Sequence, residues 1–155
     1  MVEQLPADNN ECPVARALDV IGDRWSLMIL RDAFDGTRRF SEWQKNLGVA
    51  KNILAARLKN LLEVGLLEIS PASDGSAYNE YVLTEQGRAV FPIVVSLRQW
   101  GERFLFAPGE RYSVLLDNQS QQPVLALEVR NVDGEVLGPE DCHRQVVKKR
   151  RRSRA

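Results

Sequence analysis

Asn52, Ala55, Ala56 and Lys59 lie three and four residues apart, with Lys51 one position earlier and Arg57 beside them. On a helix these side chains form one small, polar face with no nucleophile and no acid–base pair. The chemistry open to such a face is recognition. An asparagine carboxamide pairs in bidentate fashion with an adenine edge, alanines admit close approach to bases or a thymine methyl, and lysines meet phosphates. An ordinary amphipathic helix with solvated Lys and Asn side chains has the same periodicity, so the neighbouring elements must decide.

Leu54, Leu58, Leu61 and Leu62 fall at i, i+4, i+7 and i+8 and predict a helix over 51–63 that buries the opposite side. Before it, Phe40, Trp43 and Leu47 predict a short helix with Ser41 near its N-cap, and Gly48-Val49 make the turn between the two. After it, Leu67 and Ile69 alternate as a strand, Pro71 to Ser76 supply turn chemistry, and Tyr81 and Leu83 alternate back. A helix pair followed at once by a hairpin is far rarer than one amphipathic helix. It is the order a winged helix-turn-helix needs to lay one helix in a major groove of double-stranded DNA with a β-wing, 67–83, beside it. The expected DNA contacts are Ala50, Lys51, Asn52, Ala55, Ala56, Arg57 and Lys59 on the second helix, Arg38, Arg39 and Ser41 at the first, and Ser73 and Ser76 at the wing tip.

Further blocks lie around this unit: Cys12-Pro13-Val14, Gly22-Asp23-Arg24-Trp25, Leu27 to Arg31, Arg39 to Glu42, Leu54 to Leu58, Leu61, Gly65-Leu66, Tyr81 to Thr84, Gly87 and Leu97 to Gly101. In this order and spacing, over residues 12 to 104, the chain resembles HxlR-type bacterial transcriptional regulators. The resemblance implies a homodimeric winged-helix DNA binder that usually represses, and sometimes activates, a nearby promoter. It also implies a role open to Cys12, because some members use a cysteine at this position to sense oxidants or electrophiles while many carry it without such a role. Cys12 precedes Pro13 at a helix start, where the positive end of the macrodipole favours a thiolate, but Glu11 adjoins it and no base is visible nearby.

Composition sets bounds independently. A chain of 155 residues with 44% hydrophobic residues holds one folded domain with a modest core. No run of eighteen apolar residues exists and the first 22 residues lack a basic start followed by an apolar stretch, so neither membrane insertion nor export is expected. Two cysteines, Cys12 and Cys142, cannot build a disulfide framework, which fits a reducing cytoplasm. Lys and Arg number 21, as do Asp and Glu, but they are distributed unevenly. Residues 36–62 hold Arg38, Arg39, Lys45, Lys51, Arg57 and Lys59 against Glu42 alone, and residues 144–155 are basic without an acid. Phosphate binding needs such local positive potential, and the remaining acidic surface would repel DNA. The tail either grips phosphates as a mobile arm or is simply solvated.

The remaining elements read as scaffold. Val14, Ala17, Leu18 and Ile21 predict a first helix with Pro13 at its first position, and Trp25 to Phe34 predict a helix apolar around most of its circumference that belongs in the core. Thr84 is expected to cap a long last helix, with Pro92 producing a kink or an irregular first part. That helix carries more apolar width than one small domain can cover. The surplus, Val94, Leu97, Trp100 and Phe104 with Val14 and Leu18 of the first helix, is expected to form a homodimer interface. Residues 112–116, 124–129 and 135–137 predict three short strands. This appendage could pack on the domain, extend the interface or hold a small-molecule effector. Longer family members can carry a zinc-ribbon-like extension here, but Cys142 and His143 fall short of four ligands, so no metal or other cofactor is expected.

The expected fold class is α+β, mainly α: a winged helix-turn-helix with a long C-terminal dimerisation helix and a small β appendage. The expected divisions are an arm (1–11), the DNA-binding and dimerisation domain (12–107), a β-rich extension (108–143) and the basic tail (144–155). A single histidine without Ser or Asp partners, and no glycine-rich phosphate loop, point away from an enzyme. The alternative reading is a winged-helix module that binds a protein partner without DNA.

Overall fold

The computed structural model describes residues 11–145; the expected arm, Glu11 apart, and most of the basic tail lie outside it. Helix α1 (Pro13–Ile21) opens with Pro13 in its first turn, where a missing N–H leaves no bond unmade. Helix α2 (Arg24–Phe34) starts at Asp23, whose carboxylate accepts from the Ser26 N–H at 2.9 Å. Ile29 and Leu30 of α2 are fully buried and form the centre of the core.

Helix α3 (Phe40–Leu47) begins two residues earlier than an N-cap at Ser41 predicts. Arg39 occupies the N-cap, and Glu42 reaches back to accept from the backbone N–H groups of Arg38 and Arg39, both at 3.1 Å. The acid at the third helical position thus does the capping that Ser41 does not. Trp43 is fully buried, donates its indole N–H to the Ile29 carbonyl at 3.1 Å and meets Tyr81 edge-on at 5.8 Å. Gly48 ends α3 in the left-handed conformation, φ +60°, which a residue without Cβ adopts freely, and helix α4 (Lys51–Glu63) follows directly.

Strands β1 (Leu67–Pro71) and β2 (Asn79–Leu83) pair antiparallel with Leu67 opposite Leu83 and Ile69 opposite Tyr81, the alternation expected from sequence. Thr84 caps a helix, but not the long one. Its hydroxyl accepts from the Gly87 N–H at 3.0 Å and starts the single turn α5 (Glu85–Arg88). The chain then re-forms as α6 (Phe91–Phe104) with Pro92 in its first turn. Proline cannot donate into a preceding turn, so the expected irregularity is a break that divides the segment into two helices. Phe91 meets Phe34 edge-on at 5.2 Å and Val95 is buried, fixing α6 against α2.

Gly87 is held so close to the turn after α4 that a Cβ there would lie 2.0 Å from the Leu66 carbonyl oxygen. Gly87→Ala is expected to lower stability by about 1–3 kcal/mol through overpacking against backbone, read as a reduced Tm in thermal unfolding.

The three strands expected at 112–116, 124–129 and 135–137 do not form. Only isolated antiparallel bridges, Leu116 with Pro123 and Arg130 with Val136, stand where they were expected, followed by a short 3-10 turn at Pro139–Asp141. Each segment finds a single pairing and no ladder on which cooperative strand structure could build. No helix among the described residues is long and apolar enough to cross a membrane.

Candidate nucleic-acid interface

Helix α4 is anchored by Leu54, Leu58 and Leu61, each no more than 1% exposed. The three contribute about 1.5–3 kcal/mol apiece by burial and fix which side turns outward. That outward side carries Lys51, Asn52, Ala55, Ala56 and Lys59, all exposed, with Ala50 exposed just ahead of the helix and Arg57 half-buried on the flank. The structure therefore brings the helical part of the expected contact set onto one face.

Ser41, Ser73 and Ser76 are exposed as well, but the arginines are not free. The Arg39 guanidinium lies 2.6 Å from Asp74 in the wing loop and 3.6 Å from Glu80, and Arg38 lies 3.5 Å from the same Glu80. Glu80 is 4% exposed and also accepts from the Ser73 hydroxyl at 3.0 Å. The Tyr81 N–H donates to the Arg38 carbonyl at 2.8 Å. Together these contacts clamp the segment before α3 to the wing. Arg57 sits 3.4 Å from Asp23, tying α4 to the start of α2, and Lys59 faces Glu63 at 3.9 Å. Among the described residues, Lys51 is the expected basic contact that enters no ion pair.

Sequence reasoning counted the basic residues of 36–62 and missed the acids that meet them. Alternation hides Glu80: it lies on the face of β2 opposite to that of Tyr81 and Leu83, which pack on the core, and it is buried there by Arg38, Arg39 and Ser73. Asp74 is hidden as well, because its pairing depends on how the turn at Gly75, φ +75°, folds back.

Hydrogen bonding from Ser76, chiefly its backbone N–H, and then Arg39 hold the Asp74 carboxyl down at about 2, from an ordinary 3.8. Burial opposes ionisation of Glu80, yet bonds from Ser73 and Arg38 outweigh it and lower its pKa. Folded pKa values below the unfolded ones stabilise the structure above the unfolded value and cease to do so as pH falls through the folded one. The Asp74 arm of the clamp is thus complete at neutral pH and is lost between about pH 4 and 2, and the Glu80 arm, lowered likewise, also weakens in acid. Glu80→Gln is expected to loosen the wing at neutral pH, seen as faster amide exchange at Ala72 and Tyr81 while the amides of α4 exchange as before.

Cys12, half-buried, is the N-cap of α1 and its side chain makes no capping bond. Val14, Leu18, Leu97, Trp100 and Phe104 are each 50–66% exposed. Val94, expected with them, is half-buried and packs against the core instead, because it lies on the side of α6 that faces α2.

The profile of the HxlR-like helix-turn-helix family matches residues 20–108. An uncharacterized HTH-type transcriptional regulator of Mycobacterium bovis is 47% identical over 95 residues, 61% of this chain and 60% of that protein. The chain therefore spans about 60% of the length of the first curated relatives it matches. A crystal structure of a candidate transcription factor, PA1607, superposes with TM-score 0.83 at 56% identity, covering 86% of this chain and 94% of that one. The redox regulator HypR in its oxidized form superposes with TM-score 0.54 at 33% identity, covering 59% of this chain and 96% of that one. Coverage of 86% reaches beyond the family-matched segment into the C-terminal extension, so PA1607 shares part of that extension.

Proposed function

This chain belongs to the HxlR-like helix-turn-helix family, and from that premise we propose that it is a homodimeric, sequence-specific DNA-binding transcriptional regulator that represses by occupying a pseudo-palindromic operator. The observation that carries the proposal is the outward face of α4. It is small, polar and unobstructed, it is held rigidly by three buried leucines, and it stands beside a clamped wing. Asn52 is placed to read an adenine edge, Ala55 and Ala56 let the helix approach the bases, and Lys51 meets phosphate. Arg38, Arg39 and Ser73 are assigned to positioning the wing; the guanidiniums reach phosphate only by exchanging their carboxylate partners.

The exposed stripes of α1 and α6 support pairing with a second copy, which would set two α4 helices about 34 Å apart in successive major grooves. Two effector routes fit the chain. A cavity of about 310 Å³ between α2 and α6, lined by Met28, Leu97, Phe106 and Tyr112 with Arg31 and Arg98, suits a small, mostly apolar molecule. Cys12 supplies a thiol at a helix start, and the structurally similar HypR is a redox regulator. Cys12→Ser is expected to leave DNA binding intact and to abolish any release caused by diamide.

Fluorescence anisotropy with a duplex from the chain's own promoter region tests the proposal. Lys51, with Arg38 and Arg39 once they exchange their carboxylates, gives about six phosphate contacts over two protomers, and such a number predicts a fall in affinity of about 10³-fold between 50 and 200 mM salt. No binding at 50 mM salt would overturn the DNA-binding reading and leave a protein-interaction module in its place.

A further inference from the structure

The two acids of the wing clamp do different things. Arg39 donates to the Asp74 carboxylate at 2.6 Å, a short charge-assisted bond between residues 35 apart in sequence. The Asp74 side chain is 54% exposed, so burial does not compel the pairing. Its other oxygen accepts from the Ser76 N–H at 2.9 Å, which fixes the carboxylate in the wing turn. Glu80, by contrast, is buried, is shared with Arg38 and Ser73, and stands 3.6 Å from Arg39, longer than a normal hydrogen bond. The Arg39 charge is stabilised by Asp74 ahead of Glu80, and the Arg39 pKa is raised accordingly. Asp74 therefore aims the Arg39 guanidinium, while Glu80 braces the wing.

Position makes the Asp74 bond consequential. Arg39 is the N-cap of α3, and the first helix of a helix-turn-helix crosses the sugar–phosphate backbone. A guanidinium at that point has the charge and the forked donors to hold a phosphate. With Asp74 upon it, the same point is neutral and turns a carboxylate toward an approaching strand. We propose that Asp74 limits the affinity of this protein for DNA by occupying Arg39 in place of a backbone phosphate. The inference rests on the DNA-binding reading and goes beyond it, because it gives an acid on the binding surface a role opposed to binding. Replacing the carboxylate by a carboxamide or a hydroxyl removes the charge but keeps an oxygen to accept from the Ser76 N–H, so the turn survives. An exposed ion pair shifts an equilibrium by up to about fivefold. Freeing Arg39 is thus expected to gain about 3-fold per protomer, or about 10-fold for a dimer that binds with both.

Anisotropy titrations with a random-sequence duplex at 50 mM salt test this, because phosphate contacts govern such binding. Asp74→Asn and Asp74→Ser, both with the circular dichroism of the parent, are expected to bind about 10-fold more tightly than the parent does. The gain is expected to vanish without the guanidinium: Arg39→Ala and Asp74→Asn/Arg39→Ala should bind alike. Unchanged or weaker binding by either single Asp74 variant would mean that Asp74 only braces the turn. An equal gain with and without Arg39 would mean that any lost acid has the same effect through the general field of the protein. Each of these two results would overturn the inference and leave the DNA-binding reading standing. A parent that binds no duplex at 50 mM salt would overturn both together.

Discussion

An Ala55→Glu variant is expected to fold as the parent does and to lose at least about 100-fold in affinity for any duplex the parent binds. Ala55 is exposed in the middle of the outward face of α4, and glutamate is a good helix former, so the substitution leaves the fold alone. In the complex its carboxylate would be pressed against phosphates and base edges whose acceptors it cannot satisfy. Juxtaposed like charges cost several kcal/mol, and each 1.4 kcal/mol is tenfold in affinity. A two-fold dimer carries the change twice. Anisotropy titrations alongside circular dichroism separate the effect from misfolding. Unchanged affinity with unchanged helicity would mean that α4 does not face the nucleic acid.

The largest effect on stability is expected at Trp43. Trp43→Ala removes a fully buried indole at the meeting point of α2, α3 and the wing, and deprives the Ile29 carbonyl of its 3.1 Å indole donor. Truncation of a buried tryptophan costs about 3–5 kcal/mol, a large share of the 5–15 kcal/mol that holds a typical domain together. For a domain of about 100 residues this corresponds to a fall in Tm of roughly 15 °C or more, measurable by calorimetry. Because the Tyr81 ring leans on the same indole, the wing is expected to lose order before α4 melts. A Tm within a few degrees of the parent would show that the α2–α3–wing junction is not the centre of the core.

The helix-turn-helix and wing were legible in sequence because each element has one partner close along the chain. The leucine period of α4, the Gly48 turn and the two alternating strands carry their own local signal, and the structure reproduces them with the expected pairing. The two-part end of the domain was half legible. Pro92 marked an irregularity, but whether a proline bends a helix or starts one depends on what precedes it, and here α5 stops at Arg88 and the buried Val90 is the N-cap from which α6 restarts.

The extension misled for the opposite reason. Val114-Leu115-Leu116 and Leu125 to Val129 have strong strand composition, yet a strand exists only where a ladder does, and within one chain these segments meet a glutamine side chain and single bridges. The clamp of Arg38 and Arg39 was hidden for a related reason. Net charge along the sequence records which cations are present, whereas Glu80 and Asp74, some 35 to 42 residues later, decide which of them are free.

Selection of bound duplexes from a random pool tests the central claim most directly. A pair of outward α4 faces related by a two-fold axis predicts enrichment of an inverted repeat, its half-sites centred about one helical turn apart, with an adenine whose preference is relaxed in Asn52→Ala. A pool that emerges unenriched, or whose enriched sequence is bound equally well by Ala55→Glu, would contradict it.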